Sequence, residues 1–365
     1  MKPEHVVHVV PAVFDVKQGV LGGAERYAME LARYMADVIP TTLVAFGSRE
    51  SRTKLGKLNI RVLGKPIHVR GQSQNPFSLR LFSELRQATV VHCHQRHLLT
   101  SSLTAGFCRL TRRKVFVSDL GGGGWDLSAY LRTDNWYHGH LHLSEYSRRL
   151  SGHEGYHRAH VISGGVDVEK FSPRSRGDRG GPVVFVGRLL PHKGVDQLVR
   201  AVPSDLPLEI IGTALDSRHL QDLEELAAGK QVRFRHDCTD EELVDAYRRA
   251  LCVVLPSVYI DMYGGRTQVP ELLGQTLLEG MACGAPVICT DVASMPEVVN
   301  HGESGFIVPP NDPDALGDRI RWLRDHAAEA ATMGAAARVA VLERFTWPRV
   351  VERCLDHYGV PFGRA

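Results

Sequence analysis

Along the 365-residue chain, short apolar runs alternate with stretches in which apolar residues return at helical spacing. His5–Val10 is such a run; a glycine-rich turn follows at Gly19–Gly23. Ala24–Ala36 then sets Tyr27, Leu31, Tyr34 and Met35 at helical intervals. Strands are predicted at Thr42–Phe46, Ile60–Leu63, Val90–His92, Lys114–Val117, His140–Ser144 and His160–Ile162, with helices at Phe77–Gln87 and Leu98–Leu110. The polar segment SPRSRGDRGGP at 172–182 interrupts this rhythm and reads as a linker. Strands then resume at Val183–Val186, Leu208–Ile211, Val232–Arg235, Cys252–Leu255 and Pro286–Thr290. The intervening helices are Val195–Ala201, His219–Ala228 and Asp240–Ala250, the last opened by the capping-box pattern of Thr239–Glu242. Alternation of this kind predicts an α/β protein with parallel sheets covered on both faces. Because it occurs twice, two Rossmann-like doubly wound domains are expected, at 1–171 and 183–345. The helices Pro313–His326 and Trp347–Tyr358 follow, the last within a closing segment at 346–365.

Composition narrows the class. The length suits two domains, and a 43% apolar fraction is that of an ordinary globular chain. No stretch reaches the roughly 20 uninterrupted apolar residues of a spanning helix, and MKPEHVVHVVPAV lacks a signal-peptide layout, so a cytoplasmic protein is expected. Seven scattered cysteines without C-x-x-C spacing read as reduced thiols. Residues 1–165 hold 22 Lys and Arg against 12 Asp and Glu, and 12 of the 18 histidines; the remainder of the chain is net acidic. A basic first half suits an acidic partner such as a phospholipid surface, a diphospho-lipid acceptor or an anionic glycan, and peripheral membrane contact through that half is an expectation; no nucleic-acid partner is expected. No G-x-G-x-x-G follows either leading strand, which disfavours a dinucleotide oxidoreductase.

Chemistry concentrates at PELLGQTLLEGMACGAPVICT, residues 270–290. Gly274 opens a helix whose free N–H groups and positive dipole end suit a diphosphate. Glu271 stands just before that helix and Glu279 about one and a half turns inside it, so two carboxylates can accept from hydroxyls of two different sugar rings. VGRLLPHKG at 186–194 places Arg188 and Lys193 beyond a strand end, a fork of donors beside a point charge. Gly22 and Gly23 lead directly into the first helix. VSDLGGGGWDL at 117–127 puts four glycines after a strand, next to Asp119. His92, His94 and His97, and His138, His140 and His142, raise the question of a metal; no suitable carboxylate or cysteine set accompanies them in the sequence, and no metal is expected.

The pattern E-x-x-G-x-x-x-x-E-G-M-A-x-G-x-P-V-I, with G-R-L-x-x-x-K-G at Gly187–Gly194 and G-G-A-E at Gly22–Glu25, resembles retaining family 4 glycosyltransferases of the GT-B fold. Leu273 stands where that family usually has Phe, and Gly280 where it usually has Ala. The resemblance implies two Rossmann-like domains facing across a cleft, with the last helix returning to the first domain. It implies donor binding by Gly22, Gly23, Arg188, Lys193, Glu271, Gly274, Gln275, Thr276 and Glu279, with Glu271 on the donor sugar and Glu279 on the ribose. It also implies a metal-independent, hexosyltransferase-type reaction without cofactor, using a nucleotide-diphosphate sugar, UDP-linked ahead of GDP-linked. The acceptor is a glycan, lipid-linked or small molecule. Arg188, Lys193, Glu271 and Asp119 are the expected catalytic residues. Family members carry a His where this chain has Asp119, so a catalytically degenerate nucleotide-sugar-binding protein is the alternative.

Overall fold

The computed structural model describes residues 4–13, 23–173 and 180–361. The chain divides into two compact units, Met1–Gly165 together with Trp347–Ala365, and Val166–Thr346. Residues 166–171, read from sequence as the end of the first domain, belong to the second unit. There Arg338 donates to the carbonyls of Phe171 (2.8 Å) and Val168 (3.2 Å), and the Val166 amide to that of Phe345 (2.8 Å).

The first unit contains strands β1 (Val6–Val13), β2 (Thr41–Gly47), β3 (Ser51–Leu55) and β4 (Leu58–Gly64). It continues with a two-residue ribbon of β5 (Ile67–His68) and β6 (Pro76–Phe77), then β7 (Val90–His94), β8 (Lys114–Ser118), β9 (Gly139–His142) and β10 (Ala159–Val161). The main sheet runs in the order β10-β9-β8-β7-β1-β2-β4-β3, parallel except for β3. Helices α1 (Gly23–Val38), α2 (Leu81–Glu84), α3 (Leu99–Leu110), α4 (Glu145–Leu150) and α11 (Trp347–Tyr358) belong to this unit. Side-chain alternation splits each central strand between two faces. Val7, Val9, Val91, Cys93, Val115 and Val117 pack with Leu81, Leu85, Ala105 and Cys108 of the α2–α3 side. His8 and His92 point the other way, toward Met35 of α1 and Tyr358 of α11.

The second unit builds a fully parallel sheet from β11 (Val183–Val186), β12 (Leu208–Ile211), β13 (Val232–Arg235), β14 (Cys252–Leu255), β15 (Val287–Thr290) and β16 (Gly305–Val308), in the order β13-β12-β11-β14-β15-β16. Its helices are α5 (Val195–Ala201), α6 (Ser217–Leu226), α7 (Asp240–Arg249), α8 (Gln275–Ala282), α9 (Pro313–Asp325) and α10 (Ala327–Arg344). Thr239 and Glu242 form the reciprocal capping box at the start of α7.

Several expectations shift. The predicted helix Phe77–Gln87 shrinks to α2 and a 3-10 turn at Leu85–Gln87, because Phe77 pairs with Ile67 in the ribbon. The predicted strand His140–Ser144 ends at His142, since Ser144 turns out and caps α4 through Ser147. Elements absent from the sequence prediction are the ribbon strands β5 and β6, the short helix α4, the mostly exposed edge strand β3, the short strand β16, and the alanine-rich α10, whose small apolar residues mark no single face.

Candidate functional site

In the second unit β11 and β14 lie side by side, with the chain continuing outward from β11 to β12 and from β14 to β15. The crevice beyond the carboxyl ends of two such strands is where open α/β sheets bind ligands. Two of the sequence-derived motifs converge there. After β11 come exposed Arg188 and a short 3-10 turn, Pro191–Lys193. Gly194 follows with φ 66°, and a Cβ there would sit 2.1 Å from the Pro256 carbonyl oxygen, so only glycine lets the turn lie against the chain leaving β14. Lys193 Nζ thereby reaches Glu271 Oε2 at 2.5 Å and the Pro270 carbonyl at 3.2 Å. Glu271 Oε1 accepts from the Gly274 amide at 3.3 Å, and Gly274, at φ 78°, caps α8. Gln275 and Thr276 form the first turn of α8, both half-buried.

The ring of His192 is surrounded by Lys193, Glu271, Arg188 and Asp261; burial, with the two cations, pushes its imidazole down against the pull of the two carboxylates. The Arg188 side chain makes no ion pair or hydrogen bond among the described residues, while its main-chain carbonyl accepts from the Leu190 amide. Glu279 is not open to this crevice in the same way: it is 4% exposed, and Tyr247 Oη donates to its Oε2 at 2.9 Å. The segment after β14 is ordered from within: Asp261 Oδ1 accepts from the amides of Tyr263 and Gly265, and Tyr263 reaches across to Asp222 and His219 of α6. Sequence reasoning missed His192, which occupies an unspecified position of the Gly187–Gly194 pattern, and Tyr247 and Tyr263, which meet the site only through folding.

The first unit has its own switch point, between β1 and β7. A cavity of about 110 Å³ lies there, lined by Val10–Ala12, Glu25, Gln74, His94, Gln95 and Gly121–Gly123, among others. Asp119 stands beside it, its Oδ1 accepting from the Gly121 amide at 3.2 Å. Burial raises the Asp119 carboxyl above its usual range, opposed by His97, the Gly121 amide and Arg96. Gln95 holds φ 139°, a conformation maintained by its amide donating to Ser118 O and by Ser101 Oγ donating to its carbonyl. Gly23 begins α1, whereas Gly22 lies outside the described residues.

His94 has a defined protonation pattern. A thioether only accepts, so His8 Nε2, 3.2 Å from Met35 Sδ, carries the proton. Burial drives His8 to about 3 and His94 well down, so both rings are uncharged at neutral pH. His8 Nδ1 is then an acceptor, and His94 Nε2–H donates to it at 2.7 Å. His94 Nδ1 is left as a lone pair, buried and without a partner among the described residues.

Among the described residues two groups have ligand atoms within 4.8 Å of one another: His8, His92 and His94, and Asp134, His140 and His153. Folding thus replaces the His97 of the sequence grouping with His8, and it sets Asp134, which precedes His140 closely in the chain, together with His140 and His153.

Residues 169–340 match the family described as "Glycosyl transferases group 1", and residues 21–170 match "Glycosyltransferase Family 4". The chain belongs to glycosyltransferase family 4. A D-inositol 3-phosphate glycosyltransferase of Corynebacterium glutamicum (strain R) is 34% identical over 217 residues, covering 52% of this chain and 49% of the relative. An alpha-maltose-1-phosphate synthase of Mycobacterium tuberculosis (strain ATCC 25618 / H37Rv) is 30% identical over 227 residues, covering 54% and 56%. The family 4 chain therefore spans about half the length of the curated relatives it matches. Among solved structures, Anabaena Alr3699/HepE in complex with UDP superposes with a TM-score of 0.74 at 17% identity, over 97% of this chain and 99% of that one. The sucrose-phosphate synthase (tll1590) from Thermosynechococcus elongatus gives 0.71 at 19%, over 98% of each. This likeness carries the fold, which is GT-B. Among the described residues no helix is long and apolar enough to cross a membrane.

Proposed function

We propose that this protein transfers a sugar from a nucleotide-diphosphate sugar, UDP-linked ahead of GDP-linked, to a hydroxyl of an anionic glycan, lipid-linked or sugar-phosphate acceptor, with retention at the anomeric carbon. The observation that carries the reading is the convergence of Arg188, Lys193 and the amino end of α8 at the switch point of the second unit. Preorganised cations and helix amides are most effective where charge develops, here on the leaving diphosphate. The relatives named for UDP, inositol phosphate and maltose 1-phosphate fit such a donor and a phosphate-bearing acceptor.

In this reading the diphosphate draws Lys193 away from Glu271, which frees that carboxylate to accept from donor-sugar hydroxyls. Glu279, oriented by Tyr247, accepts from the ribose. The bond from C1 to the diphosphate oxygen breaks, the acceptor oxygen bonds to C1 on the same face, and its proton passes to the departing diphosphate. In the first unit the His94 Nδ1 lone pair and the Asp119 carboxylate each accept from a hydroxyl. No metal ion touches the diphosphate, so added Mg²⁺ or Mn²⁺ leaves the rate unchanged.

Incubation with UDP- and GDP-sugars and a panel of acceptors including inositol phosphate tests this, reading nucleoside diphosphate release and the product anomer by NMR. The expected result is diphosphate release with an α product from an α donor. Tight nucleotide-sugar binding without turnover on any acceptor overturns it in favour of the degenerate binder, and an inverted product overturns the mechanism.

A further inference from the structure

We infer that Asp134, His140 and His153 form a zinc site in the first unit, separate from the sugar chemistry. Asp134 lies in the 3-10 turn Thr133–Trp136, His140 on β9, and His153 in the loop after α4. Their ligand-type atoms lie within 4.8 Å of one another. Ligands held at about 2.0–2.2 Å in a tetrahedron around one zinc ion lie roughly 3.3–3.6 Å apart, so the three side chains close on an ion by drawing in by about 1.5 Å at most.

What distinguishes the group is the state of each donor. His140 Nε2 donates to the main-chain carbonyl of Asp134 at 3.1 Å, which leaves Nδ1 as the lone pair of the uncharged ring. His153 Nδ1 lies 3.0 Å from His142 Nε2. Arg96 takes Asp134 Oδ1 through Nε (3.1 Å) and Nη2 (2.5 Å), and Oδ2 forms no hydrogen bond among the described residues. Each residue therefore has one polar atom engaged, while His140 Nδ1 and His153 Nε2 are buried and unpartnered among the described residues. Metal sites have this arrangement, in which the second nitrogen of a ligating imidazole is held by a carbonyl or another polar group. Leaving two buried imidazole nitrogens unsatisfied is costly, and one cation relieves both.

The other histidine group lacks this property. His8 and His94 spend one nitrogen each on a mutual bond, His8 spends its second on Met35, and His92 spends both on Ser118 and Tyr358. Only His94 Nδ1 is left there, which is not a ligand set.

Two imidazoles and a carboxylate suit Zn²⁺, with water in the fourth position. The Asp134 side chain is 41% exposed, which gives the ion a route and the water a place. Arg96 offsets part of the carboxylate's attraction and so limits the affinity. A bound ion ties β9 to the turn before it and to the loop after α4, and its binding energy adds to the stability of the first unit. A water molecule is the rival occupant, since it too can satisfy these three groups.

The test uses the full-length chain, dialysed against zinc sulfate and then metal-free buffer, with zinc counted by inductively coupled plasma mass spectrometry and thermal melting followed with zinc or EDTA. One equivalent of zinc per chain is expected, with a melting temperature raised by zinc and lowered by EDTA. Asp134→Asn and His153→Gln lose the equivalent, His142→Leu weakens zinc affinity about 10–100-fold through the outer contact, and His8→Gln keeps it. Circular dichroism reports whether each variant is folded. If the ligand variants do not fold, the absorption spectrum of the wild-type chain loaded with Co²⁺ decides, with four-coordinate d–d bands expected. A wild-type chain that retains no zinc and melts identically with zinc and EDTA holds water there and overturns the inference; so do folded ligand variants that keep the full equivalent, or a six-coordinate Co²⁺ spectrum.

Discussion

The two units differ in the buried polar groups nearest their candidate sites. In the first unit they are uncharged imidazoles: His8, His92 and His94 lie against the sheet, each ring driven below its ordinary pKa by burial. In the second unit they are charges answered by charges or by hydroxyls: Lys193 with Glu271, Glu209 between Arg235 and Arg249, and Glu279 with Tyr247. The difference teaches what each site can take. Ion pairs poised to exchange partners suit a diphosphate, whereas a neutral ring with a free lone pair suits a hydroxyl.

Acidification exposes the contrast most strongly. Unfolded histidines bind protons near pH 6.5, while His8 in the folded first unit does so only near 3, with His92 and His94 shifted the same way. Between those values the unfolded state holds more protons, so stability falls as pH drops, by up to about 1.4 kcal/mol per pH unit for each such ring. Hydrogen exchange read by mass spectrometry at pH 7 and pH 4.5, corrected for intrinsic rates, is expected to show protection lost in β1 and β7 well before β11 and β14. Equal loss in both units would remove the distinction. Next in size is Arg188→Ala, expected to lower turnover about 10²–10³-fold, the typical cost of one electrostatic donor to a developing charge; steady-state nucleoside diphosphate release measures it. Smaller still is Tyr247→Phe, which deprives the buried Glu279 of a donor and is expected to cost about 1–3 kcal/mol in urea unfolding. The smallest is Thr239→Ala, which breaks the capping box of α7 at about 1 kcal/mol by the same measurement.

Legibility in the sequence followed the same division. The second unit's strands β11, β12 and β14 were readable because parallel strands buried on both faces appear as short apolar runs, and the edge strand β13 because Val232 and Phe234 alternate with arginines. Its Glu271–Glu279 motif was readable because Glu271, Gly274 and Glu279 are near neighbours in the chain. That Lys193 is held by Glu271, 78 residues away, was not, since no local pattern encodes which cation a carboxylate meets. In the first unit the histidines were visible but their partners were not. His8 meets His94 across 86 residues, and the Asp134 carboxylate reaches His140 and His153 only through the turn before β9. The edge strand β3 escaped because its side chains face solvent, and α10 because alanine on every side erases the helical period.

The most direct measurement of the central claim is calorimetric titration of UDP into the wild-type chain and into Arg188→Ala and Lys193→Ala. Binding by the wild type, and its loss or marked weakening in both variants with uridine alone binding equally poorly to all three, is the predicted result. UDP affinity unchanged by either substitution would contradict a diphosphate site between those cations and the amino end of α8.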